Sequence, residues 1–339
     1  MSGMEAGERE MLRASLRRLL AGTDAVKRPA ALDEFGWPDL LASDPAEAVP
    51  ALFETQGETV TASPAFNAVM AAPLLAAGGL DAAGGAAPGV GDWTVVLPGP
   101  GSGSGRSGAV YAVAAGAPVQ RCLVVGQHDG RATLAVVDAA GSGGSAGRGG
   151  SGPVEAVEGV DPELGLVRVV DRGSPAVRLA AQGDAVTAAW AEAVAAGRRA
   201  LAHELCGLGR AMLALATDHA RARHQFGRPI GGFQAVKHRL AEAKVALSAA
   251  EAAAGEAWAD PGPLTALLAK LWAGRAARLT GKQAQQVLGG MGFTWEHPFH
   301  RHVRRALVLD SLLGSASELG HELGRTLLDS GEVPDLARL

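Results

Sequence analysis

The chain has 339 residues, enough to bury a sizeable core in two or three structural units. Its formal net charge of -4 offers no basic surface for a nucleic acid, and its two cysteines, Cys122 and Cys206, are too few for a disulfide framework. No stretch approaches the roughly 20 clean apolar residues of a membrane span, and the opening MSGMEAGEREMLRASLRRLL mixes Glu with Arg where a secretory signal needs an apolar core. The expectation is a soluble cytoplasmic protein with buried, reduced thiols and neither membrane nor nucleic acid as partner.

The first unit, 1–91, reads as helical. Leu12, Leu16, Leu19 and Leu20 recur at helical spacing, as do Val69, Leu74 and Leu75, with Pro and Gly punctuating. Over 92–186 the texture turns to short β-rich runs (WTVVL, AVYAVAA, RCLVV, ATLAVVD, GLVRVV), interrupted by two glycine-serine tracts that read as flexible loops. The last unit, 187–339, is strongly helical. Leu201, Leu205, Leu208, Met212 and Leu215 form one stripe; Val236, Leu240, Ala243 and Leu247 a second; Leu264, Leu267, Leu268 and Leu271 a third. Two further helical stretches come after these, around Val303 to Leu313 and Glu318 to Leu328. Long amphipathic helices with short connections predict an antiparallel bundle, so the fold class is α+β in several units.

Four patterns are candidates for chemistry. Gly103 to Gly108, GSGRSG, matches the dinucleotide fingerprint and has Asp129 about twenty residues on. That fingerprint works only where its last glycine opens a helix. Here the β-like AVYAVAAGAP comes next, so the tract is read as a loop. His297, His300 and His302 have a spacing that can bind zinc, but Arg301, Arg304 and Arg305 stand among them and would repel a cation, so these imidazoles are read as structural or solvent-facing. RHQFGRPIGGFQAVKHRLAE is a helix end, a glycine turn at Gly231 and Gly232, and a new helix opening at Phe233 or Gln234. QQVLGGMGF is a helix closing on a glycine pair whose backbone N–H groups can approach an anion.

Taken together, Arg223, Phe226, Gly227, Gln234 and QVLGGMGF closely resemble the C-terminal domain of acyl-CoA dehydrogenases over roughly Ala200 to Leu328, with the likeness continuing more faintly upstream. The resemblance implies an N-terminal helical domain, a middle β-barrel-like domain and a C-terminal four-helix bundle, with FAD lying across a dimer interface. It implies that Arg223 reaches the FAD diphosphate from the partner, that Phe226 lies beside the adenine and Gln234 next to it, and that Gln286, Val287, Leu288, Gly289 and Gly290 run along the ADP portion. An acyl-CoA substrate and an electron-transfer flavoprotein or similar acceptor are implied with it.

The chain departs from that family in two ways. The family's catalytic carboxylate has two usual positions, and here they hold Leu313 and Gly197, neither of which accepts a proton. The nearest carboxylates, Asp310 and Glu204, are read as solvated helix residues, although a displaced base on either would leave a homomeric enzyme possible. The loop and turn that hold the flavin ring are also missing, whereas the ADP half is intact. This asymmetry, with the GFTWEH wording, resembles the smaller subunits of actinobacterial heterotetrameric (α2β2) acyl-CoA dehydrogenases acting on steroid side-chain CoA thioesters in cholesterol catabolism. That resemblance implies a larger partner subunit carrying the base, with one FAD per heterodimer. A flavin-free scaffold is the remaining alternative.

Overall fold

A computed structural model describes residues 4–80, 88–98, 110–138, 154–169 and 177–331. Five helices come first: α1 (Ala6–Gly22), α2 (Arg28–Glu34), α3 (Trp37–Ser43), α4 (Pro45–Thr59) and α5 (Ala65–Gly78). The α1 stripe buries Leu16 and Leu20, and a Glu5–Glu8 capping box opens the helix. Pro50 and Pro73 lie inside α4 and α5 instead of ending them. Both helices are deeply buried, and packing there outweighs the lost backbone bond.

The middle of the chain forms two four-stranded sheets. The first has β1 (Thr94–Val95), β4 (Arg121–His128), β5 (Arg131–Asp138) and β8 (Val177–Gln182) side by side; the second has β2 (Leu97–Pro98), β3 (Val110–Val113), β7 (Leu166–Val169) and β6 (Val154–Ala156). Among the described strands only the β1–β4 pair is parallel. Strands β6 and β8 fall outside the runs legible in the sequence. Val177 and Leu179 of β8 face outward, so no buried alternation marks that strand. Asn67 of α5 ties both sheets together: its Nδ2 donates to the Val113 carbonyl at 2.7 Å, and its Oδ1 accepts the Val95 N–H at 3.1 Å.

The helices of the last stretch are α6 (Asp184–Ala222), α7 (Gln234–Ala259), α8 (Pro263–Leu288), α9 (Phe299–Ser311) and α10 (Ala316–Ser330). Helix α6 has 39 residues and at 1.5 Å per residue runs about 58 Å, the axis of the molecule. Its predicted stripe is buried through Leu201, Leu205, Leu208 and Met212. Helices α4 and α6 cross with their backbones in contact: a Cβ on Gly57 would lie 2.2 Å from the Glu204 carbonyl oxygen, and one on Gly207 would lie 2.3 Å from that of Glu54. One apolar core runs from Leu16 through Leu134 to Leu312 and so joins all three stretches. We propose 1–91, 92–186 and 187–339 as the structural units sharing it. Among the described residues no helix is long and apolar enough to cross a membrane.

Candidate functional site

The C-terminal end of α6 opens into an exposed hairpin. The Arg223 N–H donates to the His219 carbonyl at 2.8 Å, closing the helix, and the Ile230 N–H donates to the Arg223 carbonyl at 2.8 Å, closing the loop. Between them β9 (His224–Gln225) pairs with β10 (Arg228–Pro229) around a tip at Phe226 and Gly227, with φ of 54° and 78°. The sequence places its turn at Gly231 and Gly232, which form a short 3₁₀ turn instead; the tight turn, at Phe226 and Gly227, comes earlier in the chain. Phe226 is 91% exposed at the tip and meets Phe233 edge-on at 6.0 Å, while the Arg228 guanidinium lies 4.1 Å over the Phe233 ring.

Phe233 precedes α7, whose first residue, Gln234, is exposed. Its cap position makes no side-chain hydrogen bond, so the first N–H groups at the positive end of α7 have no side-chain cap. Helix α8 returns alongside α7, held by Gln283 between Arg239 (2.7 Å) and Glu242 (2.5 Å). At its end Gln286, Gly289 and Gly290 are exposed, whereas Val287 and Leu288 are buried. Of the predicted stretch, therefore, Gln286 presents a side chain and the glycines their backbone. Val287 and Leu288 turn inward and offer a ligand only main-chain groups.

Beyond them Phe293 and Trp295 are 78% and 75% exposed. Trp295 stacks on His300 at 4.6 Å, and the Arg304 guanidinium stands 4.8 Å from the indole centroid. Neighbouring Arg221 pairs with Asp218 at 3.5 Å. Arg223, Arg228 and Arg304 make no ion pair among the described residues. Exposed aromatic rings, cations without carboxylates and an uncapped helix end suit a ligand that joins a flat heterocycle to an anion.

A different chemistry prevails where the two base positions meet. A Cβ on Gly197 of α6 would lie 2.6 Å from Leu313 Cδ1 and 2.9 Å from the Met70 sulfur. These positions, far apart in sequence, share one corner, and side chains without protonatable groups fill it. The predicted helix to Leu313 stops at Ser311, leaving Leu313 in a turn with φ of 55° and Gly314 after it at 97°. That turn is tightly clamped. Arg198 Nε donates to the Leu313 carbonyl at 3.1 Å, and the wholly buried Lys270 donates to the carbonyls of Asp310 (3.0 Å) and Gly314 (3.2 Å). Burial brings the Lys270 ammonium down to about 8 against the pull of Asp310. Met70 had no sequence signal, being remote and apolar; Lys270, a cation within an apolar stripe, carried one.

The two spare carboxylates correct the sequence reading, since neither is solvated. Asp310 is buried, pairs with Arg278 and accepts the Ala316 N–H at 3.1 Å. Glu204 is buried beside the fully enclosed Arg305, 3.3 Å from its Nη1, and Arg305 also binds Asp161 and the Thr61 carbonyl. The helical stripe places Glu204 on the face where α6 crosses α4, which is why it cannot reach water. Burial pushes its carboxyl up to about 7, against the pull of Arg305. It lines a cavity of about 10 Å³ with Gln56, Ser63, Phe66, Leu201 and Leu312, roughly the space of one water molecule.

The remaining candidates have other roles. His302 is buried between the carbonyls of Pro298 (3.2 Å) and Glu58 (3.3 Å), and His300 supports Trp295. Cys122 and Cys206 are both buried, and desolvation pushes each thiol up to about 12. The GSGRSG tract lies outside the described residues; the next described element is strand β3, not a helix that could receive a pyrophosphate.

With this geometry, residues 187–326 match the family described as acyl-CoA dehydrogenase, C-terminal domain. The chain is 38% identical over 130 residues to the acyl-CoA dehydrogenase IpdE2 of Mycobacterium tuberculosis, covering 38% of this chain and 41% of that protein. It is 37% identical over 170 residues to the acyl-CoA dehydrogenase FadE34 of the same organism, 48% of this chain and 23% of that one. The matched parts thus span less than half of either relative. Among solved structures, the ChsE4–ChsE5 complex from Mycobacterium tuberculosis superposes with a TM-score of 0.67 at 22% identity over 98% of this chain and 100% of that one. Butyryl-CoA dehydrogenase from Megasphaera elsdenii superposes with a TM-score of 0.69 at 18% identity, over 97% and 100%. The fold is that of the acyl-CoA dehydrogenases. Within it, the helical bundle over residues 187–326 is the part that matches their C-terminal domain.

Proposed function

We propose that this chain is the smaller, non-catalytic subunit of a heteromeric acyl-CoA dehydrogenase, supplying the ADP-binding half of the FAD site to a larger partner that carries the base. The observation that carries this reading is the corner where Gly197 meets Leu313 and Met70 with no proton acceptor at either base position. Set against it is an exposed end at Arg223, where Arg223 and Arg228 make no ion pair among the described residues and the Phe226 ring is exposed. In this reading Arg223 holds the diphosphate through its planar donor fork, Phe226 covers the adenine, and Gln234, Gln286 and the Gly289–Gly290 backbone line the remainder. The chemistry FAD supplies is acceptance of a hydride; this chain's part is to bind and orient.

The reaction class is α,β-dehydrogenation of a CoA thioester, with a steroid side chain as the preferred acyl group and an electron-transfer flavoprotein or similar protein as acceptor. Support for the steroid class comes from the likeness to a steroid ACAD, the Tcur3481–Tcur3483 variant, at a TM-score of 0.65 and 22% identity, and to the two-chain ChsE4–ChsE5 complex. A homomeric enzyme using Glu204 is the second reading, favoured by the position of that carboxyl on a cavity; the cavity's size and the Arg305 pair weigh against it.

Co-purification from the native host with flavin counted per chain tests the proposal. The expected result is one larger acyl-CoA dehydrogenase chain per copy and one FAD per pair. A full complement of FAD on this chain alone would overturn it.

A further inference from the structure

A cavity of about 260 Å³ opens at the surface between α6, α8 and α9. Gly281 of α8 lies where the three helices meet: a Cβ there would stand 3.6 Å from the Met212 sulfur of α6 and 3.9 Å from Val303 Cγ2 of α9. Met212, Val303, Ala306 and Leu307 line the space with carbon and sulfur, and Arg278 and Lys282 are the charged groups on it. Met212 and Ala306 are buried, whereas Leu307 is 50% exposed and Lys282 is exposed, so apolar depth gives way to a cationic rim. An apolar cavity of about 150 Å³ takes a benzene ring, which leaves room here for a large side chain. Arg278 binds the buried Asp310 while half of its side chain stays exposed. Lys282 makes no ion pair among the described residues.

The rim belongs to a longer stripe. Trp272, Arg275, Arg278, Lys282 and Gln286 succeed one another by three and four residues and are all exposed, so they share one face of α8. Arg275 stands 5.6 Å from the Trp272 ring and, like Lys282, makes no ion pair among the described residues. Gln286 ends the stripe and belongs to the proposed ADP site; Lys282 precedes it by one turn, about 6 Å of helix. A second chain that shares a FAD with Gln286 therefore comes within a turn of the cavity.

We infer that the larger subunit closes this cavity, inserting an aromatic or branched aliphatic side chain beside Met212 and Leu307 and setting acidic groups against Lys282 and Arg275. The inference rests on the proposed subunit role and names the surface, and the chemistry, that the partner must bring to it. An apolar pocket of this size suits a buried anchor of the kind that dominates interface energetics. A row of cations without carboxylates is complemented by an acidic surface. A second copy of this chain fits poorly, because a two-fold contact on this face brings the same cationic stripe against itself.

Photo-cross-linking in the complex purified from the native host tests this, with benzoylphenylalanine placed at Leu307 in one preparation and at Phe226 in another. Irradiation is expected to join both positions to the larger chain. If Phe226 captures that chain and Leu307 does not, the subunit role stands and the cavity surface is overturned. Capture of a second copy of this chain at Leu307 overturns it equally. If no larger chain is present and neither position captures one, the subunit role fails and the inference falls with it. Charge is tested separately by Lys282→Glu, at an exposed residue without an ion pair to lose. The dissociation constant of the complex is expected to rise about tenfold at low salt, with the difference narrowing in about 1 M salt. An unchanged constant at low salt overturns the acidic complement.

Discussion

Two regions along α6 make an instructive pair. At Gly197 the helix is sealed: Leu313 and Met70 close over it, and Lys270, Arg198 and Asp310 clamp the turn from which a base would project. At Arg223 the helix is open: the hairpin tip at Phe226, the Trp295 ring and the guanidinium groups of Arg223 and Arg228 are exposed, and neither arginine makes an ion pair among the described residues. The first region is held by buried polar clamps and offers no proton acceptor at Gly197 or Leu313, whereas the second presents cations and aromatic rings to solvent. Under the proposed function the two regions separate architecture from binding chemistry: buried polar clamps mark the former, exposed cations beside aromatics the latter.

The largest expected effect probes the closed side. Arg305→Leu leaves Glu204 and Asp161 buried without their shared cation, and removing one member of such a cluster costs about 3–5 kcal/mol. Urea unfolding measures it, and a nearly neutral result would mean that the cluster is solvated. On the open side, Arg223→Ala should cost about 1.5–3 kcal/mol of FAD retention in the complex by loss of a charge-assisted contact. The same substitution should leave the urea midpoint unmoved, because Arg223 is exposed. A change in folding stability instead would turn the contrast around.

Gly197→Ala sharpens the comparison further. Its new methyl meets Leu313 and Met70 at under 3 Å, and overpacking of this kind costs about 1–3 kcal/mol. Leu313→Ala in the same chain should recover part of that loss, and a double-mutant cycle showing no coupling would place the two residues apart.

The smallest effect concerns Glu204. Its folded-state carboxyl, near 7, lies above the ordinary value of 4.5. Stability is thus fully present below about pH 4.5 and is lost as pH rises through 7, by on the order of 1–3 kcal/mol. Glu204→Gln should flatten that profile while leaving turnover of the complex within a few-fold. A loss of roughly 10²–10⁴, typical when a general base is removed, would establish the homomeric reading instead.

Much of this was legible in the sequence because periodicity survives in long helices. The α6 and α8 stripes, the start of α7 at Gln234 and the closing glycines at 289 and 290 all arise from spacing and turn chemistry. The carboxylates were not legible. Whether Glu204 and Asp310 face water depends on which helix crosses α6 and where α10 begins, and both are long-range facts. The meeting of Gly197 with Leu313 is equally non-local. Strand β8 carries no such signal because its apolar residues face outward, and the Phe226 hairpin carries little because a left-handed Phe beside a Gly is a rarer pattern than the glycine pair downstream of it.

The backbone contact between α4 and α6 has a consequence for how the protein can be divided. Gly57 and Gly207 let the two helices touch without side chains between them, so neither surface can be replaced by water at small cost. A fragment beginning at residue 187 would keep every feature by which the family is recognised, yet it would expose Leu205 and Leu208, and with them Glu204 and His203, that α4 and its neighbours now enclose. The recognisable half is for that reason not a self-sufficient folding unit: expressed alone it should aggregate or remain molten, and adding residues 1–80 in trans should rescue it.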